Sequence, residues 1–271
     1  MIYNILIAVA VVSGIGLVCG IVLALASHFM AVKVDEKKEA VRACLPGVNC
    51  GACGYTGCDG YAEALANGKA EVNLCIPGAD AVAKKLSEVL GVAYEDVAEQ
   101  VAIVYCGGDC NATEKKEIYE GIESCAAANQ LYGGTGKCAF GCLGYGDCAS
   151  VCANDAICIE NGIAHINTAL CMGCGLCVRA CPKHIISLVP DVAKTVVLCS
   201  NKEKGALVRK ECLAGCIGCK KCEKLCPEQA ITVRDNLASV DAEKCTGCGV
   251  CADNCPVGCI RSGSFLGINK K

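Results

Sequence analysis

Residues 216–231 read CIGCKKCEKLCPEQAI, four cysteines within eleven residues with Pro227 directly behind the last. Residues 245–260, CTGCGVCADNCPVGCI, repeat the spacing and the closing Cys255-Pro256. Three cysteines at two-residue intervals, then a fourth three residues on and followed by proline, form the ligand run of a two-cluster iron–sulfur unit. The first three thiolates wrap one cluster and the fourth reaches the other. Cys216, Cys219 and Cys222 with Cys255 then hold one [4Fe-4S] cluster, and Cys245, Cys248 and Cys251 with Cys226 hold its partner. Tetrahedral zinc is the competing reading of any lone C-x2-C pair, but structural zinc favours pairs well separated along the chain.

A second unit lies upstream. Cys171, Cys174, Cys177 and Cys181-Pro182 follow the same run, whereas the partner run Cys138, Cys142, Cys148, Cys152 has longer gaps and Ala153 in place of proline. By topology Cys138, Cys142, Cys148 and Cys181 form one set, and Cys171, Cys174, Cys177 and Cys152 the next. The glycine-rich LGYGD insert lets backbone amides turn toward sulfur where a β-carbon would obstruct them. Further upstream, Cys50, Cys53, Cys58 and Cys75 with the interleaved Gly51, Gly54 and Gly57 suit a fifth cluster; their spacing alone also admits zinc, and the ferredoxin runs tilt the choice to iron. Nine of the 29 cysteines remain: 19, 44, 106, 110, 125, 158, 199, 212 and 259. Cys106, Cys125, Cys199 and Cys212 flank the upstream unit on both sides and are the candidate set for a sixth cluster. Buried cysteine is also a common small hydrophobe, which is the competing reading for these four and the reading taken for Cys158.

The elements that position these thiols are sparse. The 271-residue chain has no Trp and only three Phe, so ordinary aromatic cores are scarce. Residues 5–26 carry no charge and, as a helix, reach about 33 Å, one bilayer core. Lys33, Lys37, Lys38 and Arg42 follow this stretch and place the bulk of the chain on the cytoplasmic side, a reducing compartment that argues against disulfides. Gly16 and Gly20 form a GxxxG within it. A helix is expected with Asp80 as N-cap, with Val82, Leu86, Val89 and Leu90 on one face and Gly91 as its stop. Residues 101–105, VAIVY, read as a short buried strand. Each two-cluster unit carries a hairpin between its runs, turning at Asn161-Gly162 and near Asp235-Asn236. The fold class is α+β: an N-terminal transmembrane helix (1–32), a small juxtamembrane four-iron domain (33–92), a connecting segment (93–137), a ferredoxin-like unit (138–190), a polar connector (191–215), and a second ferredoxin-like unit with a tail (216–271).

Enzyme motifs are missing. GGTGKC at 133–138 lacks the spacing of a phosphate loop, and no GxGxxG follows a predicted strand, so neither nicotinamide nor flavin binding has support, and nothing points to nucleic acid. The pattern is that of an electron carrier with no substrate-converting site of its own.

With one apolar span, then LPGVNCGACGYTGC, then two tandem two-cluster units including the irregular KCAFGCLGYGDCASVC, the chain resembles the B subunit of the Rnf complexes over nearly its full length. The resemblance implies a subunit in the cell membrane that accepts electrons from a soluble reduced ferredoxin. It passes them to membrane and flavin- or NAD-binding partner subunits of a Na+- or H+-translocating ferredoxin:NAD+ oxidoreductase. Seven basic residues between 202 and 224, among them Lys220, Lys221 and Lys224, could receive an acidic ferredoxin; solvated loop charges, or charges that offset anionic clusters, are the competing and slightly favoured reading. An accessory electron-transfer subunit of another redox complex, and a zinc-stabilised interaction protein, are the alternatives.

Overall fold

The computed structural model describes residues 2–29, 35–93, 99–191 and 193–263. Lys33, the expected anchor boundary at residue 32 and the tail beyond residue 263 lie outside the described residues. Helix α1 (Ile2–Phe29) is 28 residues long, contains no Asp, Glu, Lys or Arg, and exposes Val12, Leu17 and Leu23. Its side chains are described without a break only over residues 11–26, and among the described residues no helix is long and apolar enough to cross a membrane.

Three helices follow, α2 (Glu36–Cys44), α3 (Cys58–Ala66) and α4 (Ala79–Leu90). Asp35 caps α2 by accepting from the amides of Lys37 and Lys38. Val41, Tyr61, Leu65, Val82 and Leu86 close a small core between them, and the Tyr61 hydroxyl, too deep to reach water, donates to the Glu71 carbonyl at 2.6 Å. Helix α4 departs from expectation at its start: Gly78 occupies the cap position, and Asp80 lies in the first turn. Its buried face is Ala79, Val82, Ala83 and Leu86, while Val89 points outward. Gly91 ends it in the left-handed conformation, as expected.

The rest of the chain is two copies of one plan. Strand β1 (Gln100–Val104) pairs antiparallel with β4 (Ile186–Pro190), enclosing the hairpin β2 (Ile157–Glu160) and β3 (Ile163–Ile166). Strand β5 (Thr195–Val197) pairs with β8 (Ile260–Ser262), enclosing β6 (Ile231–Arg234) and β7 (Leu237–Val240). The pairing therefore ties residues 100–104, ahead of position 138, and residues 195–197, inside the expected connector, to the last strands of their units. Short helices α5 (Cys125–Gln130), α6 (Asp147–Ser150) and α7 (Leu176–Ala180) serve the first unit; α8 (Gly205–Glu211), α9 (Lys221–Leu225) and α10 (Val250–Asp253) serve the second. Both hairpin turns place consecutive residues at positive φ, Asn161 and Gly162 in one, Asp235 and Asn236 in the other, the geometry of a two-residue type I′ turn. Cys158 on β2 is exposed rather than packed, because alternation along this strand turns it to solvent.

Each first cluster run is pressed against its own hairpin. A β-carbon on Gly218 (φ +62) would meet the Asn236 carbonyl oxygen at 2.7 Å, and one on Gly144 (φ +75) would meet that of Gly162 at 2.3 Å. Gly218→Ala therefore adds a backbone collision to the roughly 1–2 kcal/mol of left-handed strain, whereas Gly258→Ala, also at positive φ (+64) but in open space, incurs the strain alone. Thermal midpoints of the metal-loaded protein should fall further for Gly218→Ala; equal falls would exclude the close approach.

Candidate iron–sulfur centres

The thiols gather around recesses. Cys152, Cys171, Cys174 and Cys177 line one, and Cys216, Cys219, Cys222 and Cys255 line another, the groupings the spacing suggests. Two further recesses depart from it. Cys125, Cys142, Cys148 and Cys181 line one, and Cys106, Cys138, Cys199 and Cys212 line the other. The structure thus exchanges two residues: Cys125 stands with the upstream unit's run, and Cys138 stands with the flanking set.

The cause is Tyr145. Aligned on Cys142 and Cys216, the segments Cys142-Leu-Gly-Tyr145-Gly-Asp-Cys148 and Cys216-Ile-Gly-Cys219-Lys-Lys-Cys222 have identical length. The upstream run is regular with tyrosine in the second ligand position, so a thiol must come from elsewhere, and α5 supplies it. Ser124 caps α5, and Asp147 clamps its start, accepting from the Cys125 amide at 2.8 Å, the Ala126 amide at 2.9 Å and the Ser124 hydroxyl at 3.0 Å.

Cys75 lies beside Cys58, Cys50 and Cys53; burial first, then their charges, push its thiol up. The Cys58 amide is fixed by Asn49 Oδ1 at 2.8 Å. Cys226, Cys245, Cys248 and Cys251 occupy the positions equivalent to Cys152, Cys171, Cys174 and Cys177. The Ala230 amide donates to Cys226 Sγ at 3.3 Å as the Ala156 amide does to Cys152 Sγ at 3.4 Å.

Burial pushes Cys148 and Cys177 up to about 12 and Cys222 to about 11, and neighbouring thiolates push in the same direction. A coordinating metal reverses this, because a thiol bound to it is deprotonated outright. The donor set is soft and all-sulfur. Among the described residues no group of three or more His, Cys, Asp or Glu is set to hold a single metal ion. Tetrahedral zinc takes four thiolates at about 2.3 Å; here two of the three runs closing on Cys-Pro send their last cysteine to the thiols of another run, Cys181 to Cys142 and Cys148, and Cys255 to Cys216, Cys219 and Cys222, the ligand pattern of two-cluster iron–sulfur units. Amides turned onto sulfur, such as Gly173 to Cys171 at 3.4 Å, supply the hydrogen bonds that such clusters use to tune potential. A fifth thiol, Cys259, is buried in the Cys216 recess with its Sγ 3.6 Å from Cys255 Sγ. It donates to Cys216, which lowers Cys216 to about 6 and raises Cys259. Its place one residue before β8 is the only sequence signal for it.

The centres form a polyferredoxin, a protein whose folded units exist to hold [4Fe-4S] clusters. Family models agree: an Fe-S cluster model matches residues 45–77, a 4Fe-4S binding domain 164–187 and a 4Fe-4S dicluster domain 206–262. The chain is 41% identical over 96% of its length to the B subunit of the Na+-translocating ferredoxin:NAD+ oxidoreductase complex of Acetobacterium woodii, covering 78% of that protein. It is 42% identical over 96% to the proton-translocating counterpart of Clostridium ljungdahlii, covering 93% of it, and 39% identical over 92% to the B subunit of the ion-translocating oxidoreductase complex of Methanosarcina acetivorans, covering 95% of it. The chain belongs to the B-subunit family of the Rnf-type ferredoxin:NAD+ oxidoreductase complexes.

Asp147 gives a test of the borrowed thiol. Burial opposes its ionisation, but the amides of Ala126 and Cys125 and the Ser124 hydroxyl hold its carboxyl below the ordinary range. A carboxyl depressed on folding contributes stability that is complete above its unfolded value of about 4 and is lost as pH falls through the lower folded value. Asp147→Ala should cost about 1 kcal/mol at pH 7, discounted for partial exposure. Its gap from the wild type should close on acidification, and a gap constant from pH 7 to pH 3 would refute the clamp.

Proposed function

We propose that the chain is the membrane-anchored electron-relay subunit of an Rnf-type complex, receiving electrons from a soluble reduced ferredoxin and passing them toward membrane partners that serve NAD+ reduction and Na+ or H+ export. The observation that carries this reading is the junction between the domain nearest α1 and the first ferredoxin unit. Cys50 is close enough to Cys174 to raise its pKa behind burial, and Arg179 of α7 donates to the Cys50 carbonyl oxygen. The Cys50 set is thereby coupled to the chain of sets rather than isolated from it.

Five sets support [4Fe-4S] clusters: Cys50, Cys53, Cys58, Cys75; Cys152, Cys171, Cys174, Cys177; Cys125, Cys142, Cys148, Cys181; Cys216, Cys219, Cys222, Cys255; and Cys226, Cys245, Cys248, Cys251. A bound cluster supplies one-electron transfer, and the chain fixes the thiols, aims amides at them and excludes water. The apolar, uncharged α1 supports a single-pass anchor in the cell membrane, and Lys37, Lys38 and Arg42 behind it support a cytoplasmic location for the rest. At the other end Cys219 is exposed beside exposed Lys220, Lys221 and Lys224, a cationic edge suited to an acidic donor.

Two outcomes follow. The anaerobically purified protein should absorb broadly in the visible, bleach with dithionite and co-purify with flavin-bearing membrane subunits; a colourless, zinc-rich protein would reject the relay. Reversing Lys220, Lys221 and Lys224 to Glu should slow reduction by ferredoxin about tenfold or more at low salt and flatten its salt dependence, whereas unchanged stopped-flow kinetics would remove this docking edge.

A further inference from the structure

Four cysteine runs in the two ferredoxin units lead into a strand in the same way. Ala156 follows Cys152 by four residues and precedes β2, Ile185 stands likewise between Cys181 and β4, Ala230 between Cys226 and β6, and Cys259 between Cys255 and β8. The four positions are structurally equivalent. Each is buried, and each carbonyl accepts a backbone amide: that of Asn167 on Ala156 at 2.7 Å, Tyr105 on Ile185 at 2.7 Å, Asp241 on Ala230 at 2.8 Å and Leu198 on Cys259 at 2.7 Å. Packing fills this position with an aliphatic side chain three times. A cysteine that only occupied space would be the fourth such case, but Cys259 has other surroundings.

Cys259, 4% exposed, lines the same recess as Cys216, Cys219, Cys222 and Cys255, so five thiols converge where a cubane offers four irons. The surplus thiol is not turned away. Its Sγ lies 3.6 Å from Cys255 Sγ, and it also donates to Cys216. Two sulfurs in contact at the rim of one cluster address the same iron. The chain between them is built to let one replace the other. Pro256 and Gly258 are exposed, and at Gly258 (φ +64) a β-carbon would meet nothing within 4 Å, so the turn has free space on its outer side. Its own closing bond is the Gly258 amide on the Cys255 carbonyl at 3.2 Å. Cys259 is held from the opposite side, by Leu198 and by the pairing of Ile260 with Val197. The turn that carries Cys255 is therefore free to swing outward while Cys259 stays in the core.

We propose that Cys259 is a reserve ligand of the Cys216 cluster, placed to take over the iron that Cys255 holds. The inference rests on the relay reading and adds to it. In the exchange the Fe–Sγ bond to Cys255 breaks and one to Cys259 forms; the entering thiol gives up its proton, the departing thiolate takes one, and no electron moves. The provision suits this centre. Cys219 is exposed, so solvent reaches the cluster's edge, and a second thiol already in place keeps the fourth iron ligated when Cys255 is lost.

The test is the iron content of the full-length protein purified anaerobically. Cys255→Ala should keep the wild-type count, whereas Cys255→Ala combined with Cys259→Ala should lose between one iron and the whole cluster of about four. Cys181→Ala, at the equivalent position with Ile185 rather than a thiol behind it, should lose iron as the double variant does. Cys259→Ala alone, which installs the residue found at two of the equivalent positions, should keep every iron. Loss of iron in Cys255→Ala overturns the proposal, and so does full retention in the double variant or in Cys181→Ala. If the double variant does not fold, the contrast between Cys255→Ala and Cys181→Ala decides. A wild-type protein without iron would reject the relay reading itself, and the exchange with it.

Discussion

Thiols that must meet in a confined space repel one another as soon as they ionise, and this repulsion is the constraint to which the rest of the structure answers. Burial and mutual charge push Cys106, Cys148 and Cys177 to about 12, so neutral water alone leaves them protonated and without reason to converge. Iron supplies that reason. The two ferredoxin cores are built partly from the same thiols: Cys148 and Cys177 sit among Ile157, Ile166 and Ile186, and Cys216, Cys222, Cys251 and Cys259 among Val197, Ile231 and Ile260. With no Trp and three Phe in the chain, these cores contain little apolar mass beyond short aliphatic residues. Free energy of cluster binding is therefore free energy of folding, as in other small metallo-domains.

The backbone answers the same constraint. Several of the amides that donate to sulfur turn inward through left-handed residues, Gly173 itself on Cys171 and the Ala230 amide, just after Gln229, on Cys226. Gly173 and Gly247 hold equivalent positions in the second runs, and β-carbons there would collide with the Gln100 carbonyl oxygen and the Lys194 side chain respectively, so each second run lies against the start of its own unit's first strand just as each first run lies against its hairpin. Sheets of only two strands are marginal alone. Here they serve as struts between clusters rather than as a hydrophobic layer, which accounts for four separate pairs among the described strands instead of one continuous sheet.

Much of this was legible in the residues. The three runs closing on Cys-Pro, the two positive-φ hairpin turns, the strand near 101–105 and the glycine stop of α4 all depend on local rules, and all appear where those rules put them. What was not legible depends on contacts distant in sequence. Tyr145 disguises a regular run as an irregular one, because a tyrosine at a ligand position looks like an insertion until the two runs are aligned on Cys142 and Cys216. That misreading carries Cys138 into the wrong company and leaves Cys125 apparently spare. The strands before each unit were hidden for a similar reason: residues 195–197 are too short to show a period, and their partner at 260–262 lies more than sixty residues away.

The borrowed thiol changes how the upstream unit must assemble. In the downstream unit all four thiols of the set around the Cys216 recess come from the two runs, so local folding of runs and hairpin completes the set. In the upstream unit Cys125 arrives on an excursion of some thirty residues that leaves after β1 and returns at Cys138. That excursion is fastened along its length: its first residues by the Gly107 amide on the Leu198 carbonyl at 3.0 Å, the Cys110 amide on that of Asn161 at 2.8 Å and the Leu213 amide on that of Ala112 at 2.8 Å, and its later ones by Asp147 on the start of α5, Lys183 on the Gly133 carbonyl at 2.7 Å and the Tyr119–Tyr145 edge contact at 5.7 Å. Closing a loop of this length costs entropy that these contacts offset. Seating Cys125 among Cys142, Cys148 and Cys181 therefore requires the excursion to dock. Because the same excursion also carries Cys106, Ala112 and Thr113 against the downstream unit, it ties the upstream set to the neighbouring unit as well.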